Sequence, residues 1–279
     1  MSCKNTTLIR TFANKAMKAA SIQNHIVNWL KSYAQNAGVK GFVVGVSGGI
    51  DSATTSTLCA LTGLEVTVVN MPIHQAENQV DRGMTHMNWL VSKFNNVKIA
   101  EVPLTSVFDH FVASQTIKGA TEEQTLLAEA NSRARLRMTA LYYIAGCTHA
   151  LVAGTGNKVE DFGVGFYTKY GDGGVDLSPI ADLTKTEVTE LGKYLGVSEA
   201  IVQAPPTDGL WGDDRTDEDQ IGASYPELEW AMARQDEGKE ASDFEGRERE
   251  VFETYIKFHR ANRHKMLPIP VCQIPSELR

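Results

Sequence analysis

A glycine-rich turn between an apolar segment and a helix-compatible segment constrains this chain more than any other feature. The turn spans residues 45–52, Gly-Val-Ser-Gly-Gly-Ile-Asp-Ser, and it follows the apolar run 42–44. A strand, a turn and a helix in that order predict one unit of a parallel α/β sheet. The backbone N–H groups of such a turn, at the positive end of a helix, favour the binding of phosphate. We therefore predict a nucleotide-binding α/β fold.

Asp51, within this turn, offers a carboxylate to a magnesium ion that accompanies bound phosphates. The turn lacks the Gly-Lys-Ser/Thr that ends a Walker A motif, so the phosphate-binding lysine of P-loop enzymes is missing. A simpler interpretation is a glycine turn in which Asp51 or Ser52 caps the following helix. The match over six positions, placed between a strand and a helix, favours the nucleotide interpretation.

The composition excludes several classes of protein. The 279 residues are 42% hydrophobic and 22% charged, as in an ordinary globular chain, and the formal net charge is −7. We expect no nucleic acid as partner, because proteins that bind nucleic acid normally carry a basic face. The polar amino terminus and the lack of an apolar run of transmembrane length predict a cytoplasmic protein without a membrane partner.

The cysteines predict neither a metal site nor a disulfide framework. They are far apart and form no CxxC pair: Cys3, Cys59, Cys147 and Cys272. Cys59 and Cys147 fall in apolar helical segments, so we expect both to be reduced and buried.

Apolar segments alternate with helix-compatible segments along much of the chain. Strands are predicted at residues 42–44, 64–71, 97–102 and 150–153. Helices are predicted at residues 22–33, 53–61, 75–94, 105–114, 121–145, 225–232 and 248–264. This alternation predicts a doubly wound parallel sheet with helices on both faces. Ligands of such sheets bind at the carboxyl ends of strands, where the 45–52 turn and the Gly154 turn both fall.

The character of the chain changes at Pro205. Six acidic residues follow within twelve positions: Asp208, Asp213, Asp214, Asp217, Glu218 and Asp219. Two interpretations are left open, a solvated loop or a flap over the active site. We expect residues 1–279 to form one domain, with a nucleotide-binding core at about residues 20–200 and a lid loop with C-terminal helices at about residues 205–279.

Further segments indicate which nucleotide-binding enzyme this is. They are residues 131–138 with Tyr142, residues 154–160, 165–179, 183–185 and 206–210, and His264-Lys265. With the 45–52 turn, they resemble NAD synthetases of the ATP pyrophosphatase (PP-loop) superfamily, which have an adenine nucleotide alpha hydrolase-like fold. The run 166–174, Phe-Tyr-Thr-Lys-Tyr-Gly-Asp-Gly-Gly, is long and specific, whereas the turn alone fits the whole superfamily. The resemblance covers nearly the whole chain.

The resemblance implies a ligase that makes NAD, AMP and pyrophosphate from deamido-NAD, ATP and ammonia. ATP adenylates the nicotinate carboxylate of deamido-NAD, and ammonia then displaces AMP. Adenylation is needed because a carboxylate oxygen is a poor leaving group, whereas AMP leaves readily from a mixed anhydride. Both nucleotides are polyanions, so cationic side chains and Mg²⁺ are needed to bring them together.

The resemblance also assigns roles residue by residue. ATP contacts are implied for Gly45, Val46, Ser47, Gly48, Gly49, Ile50, Asp51, Ser52, Thr155, Lys185 and Thr207, and Arg82 is a weaker candidate. Contacts with deamido-NAD are implied for Arg135, Lys169, Asp176, His264 and Lys265. Asp51 and Glu160 are the implied magnesium ligands. Catalytic roles fall to Asp51, to Lys185 beside the leaving pyrophosphate, and to Asp172 beside the incoming ammonia.

Each of these residues also has an ordinary structural interpretation when it is taken alone. The arginines of the long helix could be solvated charges, and Asp172 could be a turn former. His264 could be a surface histidine at a helix end. Lys185 could lie exposed at a helix start where Thr184 and Glu187 form a capping box. Their joint occurrence in chain order favours the functional interpretation.

Two departures from the family pattern follow the Gly154 turn. Family members often have Gly-Thr-Asp-His-Ala-Ala-Glu where residues 154–160 are Gly-Thr-Gly-Asn-Lys-Val-Glu. The spacing from Glu160 to Lys169 is also one residue longer than in the family pattern. Thr155 and Glu160 match, so the roles implied for them are kept.

Other functions share part of this pattern. GMP synthetase and tRNA-thiolating enzymes carry the same loop, but a thiolating enzyme is expected to show catalytic cysteines and a basic RNA face. A regulatory module that binds ATP without turnover is a second alternative, although the paired acids Asp51 and Glu160 argue for metal-assisted chemistry. We find no nucleophile constellation of a glutaminase, so we expect free ammonia or a separate amidase as nitrogen source. The resemblance implies a homodimer with the deamido-NAD site near the subunit interface.

Overall fold

The computed structural model describes residues 17–75, 77–206 and 216–279, and these residues build a parallel sheet of four strands. The strands are β1 (Gly41–Gly45), β2 (Glu65–Asn70), β3 (Val97–Glu101) and β4 (Ala150–Val152). Their order across the sheet is β3-β2-β1-β4, and Gly41 is level with Glu65 on one side and Ala150 on the other. The strand order therefore reverses between β1 and β4, which is where sheets of this kind bind ligands.

Helices connect the strands and continue beyond them. Within the described residues the α-helices are α1 (Ala19–Ala37), α2 (Ile50–Leu61), α3 (Glu77–Lys93), α4 (Thr105–Ala113), α5 (Glu122–Thr148), α6 (Lys185–Leu195), α7 (Glu199–Val202), α8 (Asp217–Ile221), α9 (Tyr225–Asp236) and α10 (Gly246–Met266). A π-helix spans Val159–Val164, and short 3₁₀ turns span Ala241–Asp243 and Ser276–Leu278. The seven helices predicted from the sequence are all found. The capping boxes at Thr121 and Thr184 are formed and fix where α5 and α6 begin.

Both faces of the sheet are covered, because successive residues of a strand point to opposite faces. Phe42 and Val44 pack in one apolar cluster with α1, α2, α3 and α6. Val43 and Val152 pack in a second cluster with α4 and α5. The central strand β1 is thus buried on both sides, which explains its continuous apolar sequence. The predicted doubly wound α/β fold is confirmed.

The C-terminal helices form a third apolar cluster. Leu228 of α9 and Phe252 and Tyr255 of α10 pack against Val159 and Val164 of the π-helix. This cluster seats α10 along the π-helix and so brings the carboxyl end of α10 to the segment that follows Glu160. The predicted boundary near residue 205 stays a prediction.

The expectation that Cys147 is buried was wrong, and part of the acidic run is helical. Cys59 is buried, but Cys147 is exposed, because it lies two positions after the buried Ala145 and so on the other side of α5. Residues 217–219 of the acidic run are not loop: they begin α8, where Thr216 and Asp219 form a capping box. The rest of that run, residues 208–215, lies outside the described residues. None of the helices described is long and apolar enough to cross a membrane.

Candidate active site

The 45–52 turn joins β1 to α2 and is braced by its own hydroxyl groups. The backbone N–H of Ser47 donates to Ser52 Oγ at 3.2 Å, and Ser52 Oγ donates to the Gly49 carbonyl oxygen at 3.0 Å. Gly49 is the N-cap residue of α2 and provides no side-chain cap. The interpretation of Asp51 or Ser52 as a simple helix cap is therefore wrong. A helix start without a side-chain cap is the setting in which proteins bind anions.

Gly48 allows helix α3 to pack directly on this turn. Its φ is +83°, in the left-handed region that favours glycine, and a Cβ added there would lie 2.7 Å from the Gln79 carbonyl oxygen. Arg82, one turn further along α3, places its Nε 3.5 Å from the Gly48 carbonyl oxygen. Close contact with α3 thus holds the turn in shape and puts Arg82 beside it.

Two carboxylates and one lysine form a compact cluster next to the turn. Lys185 Nζ lies 2.5 Å from Asp51 Oδ2 and 3.0 Å from Glu160 Oε1. The exposed fractions of the Lys185, Asp51 and Glu160 side chains are only 12%, 16% and 17%. The three residues come from the starts of α6, α2 and the π-helix, so the fold unites positions that are far apart in sequence.

The charges of this cluster follow from its contacts. Burial alone would lower the pKa of Lys185, but the carboxylates of Asp51 and Glu160 outweigh it and raise that pKa. Burial alone would raise the pKa of Glu160, but the Lys185 ammonium and a hydrogen bond from Tyr225 lower it. We therefore describe Lys185 as protonated and Glu160 as ionised.

Two residues that the sequence did not single out support the cluster. Asn157 is fully buried; its Nδ2 donates to Asp51 Oδ1 at 3.2 Å, and its Oδ1 accepts from the backbone N–H of Glu160 at 3.1 Å. Tyr225 Oη donates to Glu160 Oε1 at 2.5 Å. Asn157 belongs to the Gly-Thr-Gly-Asn segment, which departs from the family pattern. That departure could have drawn attention to Asn157 as a site residue. Tyr225 lies 65 positions from Glu160 in a plain helix start, and nothing in the sequence marked it.

A π-helix lies between Glu160 and Lys169, where the spacing is one residue longer than in the family pattern. A π-turn closes its hydrogen bond over one residue more than an α-turn, and the Gly165 N–H accordingly bonds to the Glu160 carbonyl oxygen. Glu160 contacts Lys185. Lys169 lines the same cavity as Glu160. The longer spacing therefore leaves both side chains at the site.

Four of the residues predicted to bind deamido-NAD form a second group, linked through backbone carbonyls. Arg135 donates through Nε and Nη2 to the Lys169 carbonyl oxygen, at 3.4 and 3.3 Å. Lys169 Nζ donates to the His264 carbonyl oxygen at 2.7 Å. Lys265 Nζ donates to two carbonyl oxygens of the segment 165–167, at 2.8 and 2.7 Å. Helices α5 and α10 thus place their cations around the specific run 166–174.

Asp172 lies within electrostatic range of both groups. Its Oδ1 accepts the Thr168 backbone N–H at 2.9 Å. Although Asp172 keeps contact with solvent in the cavity, partial loss of water raises its pKa to about 6, against the opposing effect of the Thr168 N–H. Glu160 adds to the rise and Lys265 opposes it. A carboxyl group with this pKa can exchange protons near neutral pH.

Asp161 occupies the space that a side chain at position 156 would fill. A Cβ added to Gly156 would lie 2.1 Å from Asp161 Oδ2. The family pattern has Asp at position 156; in this chain the position is glycine, and the carboxylate of Asp161 lies beside it. Burial, and next the charge of Glu160, raise the pKa of Asp161 well above its usual value.

Two predicted residues stand apart from the others. Asp176 does not line the cavity; its Oδ2 accepts the Val152 N–H at 2.8 Å and its Oδ1 accepts from Tyr142 Oη at 3.0 Å. These bonds tie the segment to β4 and α5, and its contact with deamido-NAD stays a prediction. Thr207 lies outside the described residues.

All the other predicted site residues line one cavity of about 950 Å³ at the carboxyl ends of β1 and β4. Asp161 and Tyr225 line it as well. A glycine-rich turn at a helix start and at the switch point of a parallel sheet, with a buried acid–lysine cluster beside it, is typical of one class: nucleotide-dependent α/β enzymes.

Comparison with known proteins narrows this class to one family. The NAD synthase family model matches residues 22–268, and the chain belongs to that family. The NH(3)-dependent NAD(+) synthetase of Carboxydothermus hydrogenoformans is 40% identical over 222 residues, which are 78% of this chain and 87% of that protein. The enzyme of the same name from Alkaliphilus metalliredigens is 35% identical, over 91% of this chain and 99% of its own length.

A solved relative has the same fold. The NMN synthetase of Francisella tularensis superimposes with a TM-score of 0.78 at 31% identity, over 93% of this chain and 99% of that one. The resemblance to NAD synthetases predicted from the sequence motifs is confirmed.

Proposed function

We propose that deamido-NAD and ATP meet in this cavity. The 45–52 turn with its acid–lysine cluster would bind ATP, and the cationic group around residues 166–174 would bind deamido-NAD. As a member of the NAD synthase family, the chain is an AMP-forming ligase that uses ATP to amidate deamido-NAD with ammonia. One observation carries the assignment of the site: a single cavity is lined both by the phosphate-binding turn with its acid–lysine cluster and by the cationic group around residues 166–174.

The 45–52 turn and Lys185 bind the ATP phosphates in this proposal. The nicotinate carboxylate attacks the α-phosphorus, the bond between the α- and β-phosphates breaks, and pyrophosphate leaves. Backbone N–H groups of the turn and the Lys185 ammonium stabilise the negative charge that moves onto pyrophosphate. The supporting observation is the position of Lys185 beside Asp51, the seventh residue of the turn.

Asp51 and Glu160 would hold Mg²⁺. Their fit rests on the donors present, since two carboxylates converge beside a phosphate-binding turn, and Mg²⁺ prefers oxygen ligands shared with substrate phosphates. Among the described residues, no cluster of three or more Asp, Glu, His or Cys side chains could hold a metal ion, so phosphate oxygens would complete the site. When bound, Mg²⁺ neutralises phosphate charge and polarises the phosphorus–oxygen bonds.

Asp172 assists the second half-reaction. The nitrogen lone pair of ammonia attacks the acyl carbon, AMP leaves with the electrons of its bond, and the nitrogen loses a proton. Ammonium has no lone pair and must lose a proton first, so a carboxylate with a pKa near 6 is suited to bind ammonium and accept that proton. Asp172 lies near Lys265 of the dinucleotide group and Glu160 of the ATP group, where the two substrates would meet.

Turnover by the purified protein tests this function. With deamido-NAD, ATP, Mg²⁺ and ammonium chloride, we expect NAD, AMP and pyrophosphate in equal amounts. With ammonia-free glutamine in place of ammonium we expect no NAD. A regulatory module would release neither AMP nor pyrophosphate, and steady turnover on glutamine alone would refute the ammonia requirement.

A second candidate substrate is nicotinate mononucleotide, because the relative from Francisella tularensis is an NMN synthetase. The same adenylation and amidation would then give nicotinamide mononucleotide. Competition between the two substrates in one reaction measures the ratio of their kcat/KM values. We expect deamido-NAD to be preferred, since the curated relatives at 35–40% identity are NAD(+) synthetases. A preference for the mononucleotide would reassign the substrate without changing the chemistry.

We also propose that the chain forms a homodimer through α4 and α5. These helices carry large exposed apolar side chains: Val107, Phe111, Leu126, Leu127 and Tyr143. Leu127 is 51% exposed and also lines the cavity, so a partner packed on this face would lie near the substrate. Light scattering should show a dimer that Leu126→Asp dissociates, while the control Val271→Asp in the exposed C-terminal segment stays dimeric. A monomeric wild-type protein would exclude this interface.

A further inference from the structure

Lys185 contacts both of the carboxylates that would hold the metal ion. Its Nζ lies 2.5 Å from Asp51 Oδ2 and 3.0 Å from Glu160 Oε1, the two carboxylates assigned to Mg²⁺. All three side chains are largely buried, so water screens these contacts poorly. One ammonium ion thus balances part of the charge that a divalent cation would otherwise neutralise.

Further protein donors contact both carboxylates. Glu160 Oε1 accepts from Tyr225 Oη as well as from Lys185, and Asp51 Oδ1 accepts from Asn157 Nδ2. A metal ion that entered this cluster would have to break the Lys185 contacts and move an ammonium ion to another anion. Without a nucleotide, that displacement is unfavourable, because a buried cation that loses its partner carries a large penalty.

The position of Lys185 in its helix adds to its need for a neighbouring anion. It is the first residue of α6, whose N-cap Thr184 and capping box fix the start of the helix. The positive end of a helix disfavours a cation. Asp51 and Glu160 offset this effect in the absence of substrate, and bound phosphate would offset it when ATP is present, since Lys185 and the 45–52 turn line the same cavity.

We propose that Lys185 is an internal counter-cation that keeps divalent metal out of the nucleotide-free enzyme, so that metal enters only with the ATP phosphates that draw the lysine away. This inference rests on the proposed function, in that ATP is taken to bind at the 45–52 turn. It adds an order to the binding events and gives Lys185 a second role before catalysis begins.

Binding of Mn²⁺ alone, followed by electron paramagnetic resonance without nucleotide, tests the exclusion. Lys185→Gln removes the ammonium, and we expect it to bind Mn²⁺ about tenfold to a hundredfold more tightly than the wild type, the range expected for one hydrogen bond to a charged group. The control is Lys158→Gln, which removes an equal charge near the site but from an ion pair with Asp182, at 3.1 Å. The control should bind Mn²⁺ as weakly as the wild type. Equal affinity in Lys185→Gln and the wild type would overturn the proposal.

The wild type alone provides a second test that does not depend on the folding of any variant. The affinity for Mn²⁺ should rise at least tenfold when α,β-methylene ATP is present, and by linkage Mn²⁺ should tighten the analogue equally. Tight Mn²⁺ binding to the nucleotide-free wild type would contradict the inference. These binding results are independent of turnover: a protein that excludes Mn²⁺ until Lys185 is removed but makes no NAD would retain this inference and lose the proposed function.

Discussion

At the scale of single residues, Asp51 shows most clearly how the fold changes an interpretation made from sequence. A carboxylate in the first turn of a helix favours capping on statistical grounds. In the structure its oxygens face Lys185 and Asn157, which are 134 and 106 positions away in the chain. Long-range contacts of this kind cannot be read from local sequence, although the motif did identify Asp51 as a site residue.

Asp51→Asn should abolish adenylation and leave the fold intact. The amide keeps the size of the side chain but removes one of the two carboxylates beside the phosphates, a loss that typically lowers rate by about 10² to 10³. Pyrophosphate release measures the effect, and circular dichroism checks the fold. The matched control is Asp182→Asn, whose carboxylate is 97% exposed and lies in the Lys158 ion pair. Near-normal pyrophosphate release by Asp51→Asn would refute the assignment.

Asp172 should determine how kcat/KM for ammonium depends on pH in the acid range. Its pKa of about 6 means that it is protonated below that pH and cannot accept a proton from ammonium there. We expect kcat/KM for ammonium to fall more steeply below pH 6 than above it in the wild type, and Asp172→Asn to be slower and to lack this steepening. At higher pH both proteins should gain from the larger fraction of neutral ammonia. If the steeper decline of kcat/KM below pH 6 persisted in Asp172→Asn, that decline would belong to another titrating group.

At the scale of elements, sequence patterns predicted most of what forms. Apolar runs located the four strands, and Thr184 with Glu187 marked a helix start, because these signals are local. The π-helix at Val159–Val164 was not predicted, although the extra residue before Lys169 was noticed. No local propensity distinguishes a π-turn from an α-turn, so this element could not be read from the sequence.

Gly48→Ala should destabilise the turn and weaken nucleotide binding. The alanine would have to adopt a left-handed conformation and also clash with the Gln79 carbonyl oxygen, so we expect a loss of about 1–3 kcal/mol in the free energy of unfolding. Gly63→Ala is the control, because its φ is +76° but nothing lies within 4 Å of the added Cβ. Denaturant unfolding measures the loss of stability in both variants. Gly63→Ala reports the backbone strain alone, and the additional loss in Gly48→Ala reports the clash with α3. Equal losses in stability and in ATP affinity would show that contact with α3 is unimportant.

At the scale of the whole molecule, the cavity lies where three apolar clusters meet. Lys185 comes from a helix packed in the first cluster, α5 with Arg135 belongs to the second, and α10 with Lys265 belongs to the third. Sequence motifs named these residues and implied a ligand for each, but their placement around one cavity depends on which helices pack together. That packing is set by tertiary contacts and was beyond the sequence.

The two groups should respond differently to mutation. Arg135→Ala and Lys265→Ala should weaken deamido-NAD binding more than ATP binding, and Lys185→Ala should do the reverse, because each removes a cation from one group only. Calorimetric titration of each ligand into each variant measures the difference. Arg249→Ala, which removes an exposed cation from the same helix as Lys265, should change neither affinity. Equal losses for both ligands in all three variants would show that the groups are not separate.

The π-helix has a consequence for how homologous chains are compared. Because a π-turn spans one residue more than an α-turn and both Glu160 and Lys169 line the cavity, we expect the extra residue of this chain to align inside Val159–Val164. A gap placed later, in the run 166–174, would shift the alignment of this run by one residue. Lys169 or Asp172 would then be compared with the wrong residue of the relative. Residue-by-residue transfer across this family is therefore best anchored on Glu160 and on the run 166–174, and not on the positions between them.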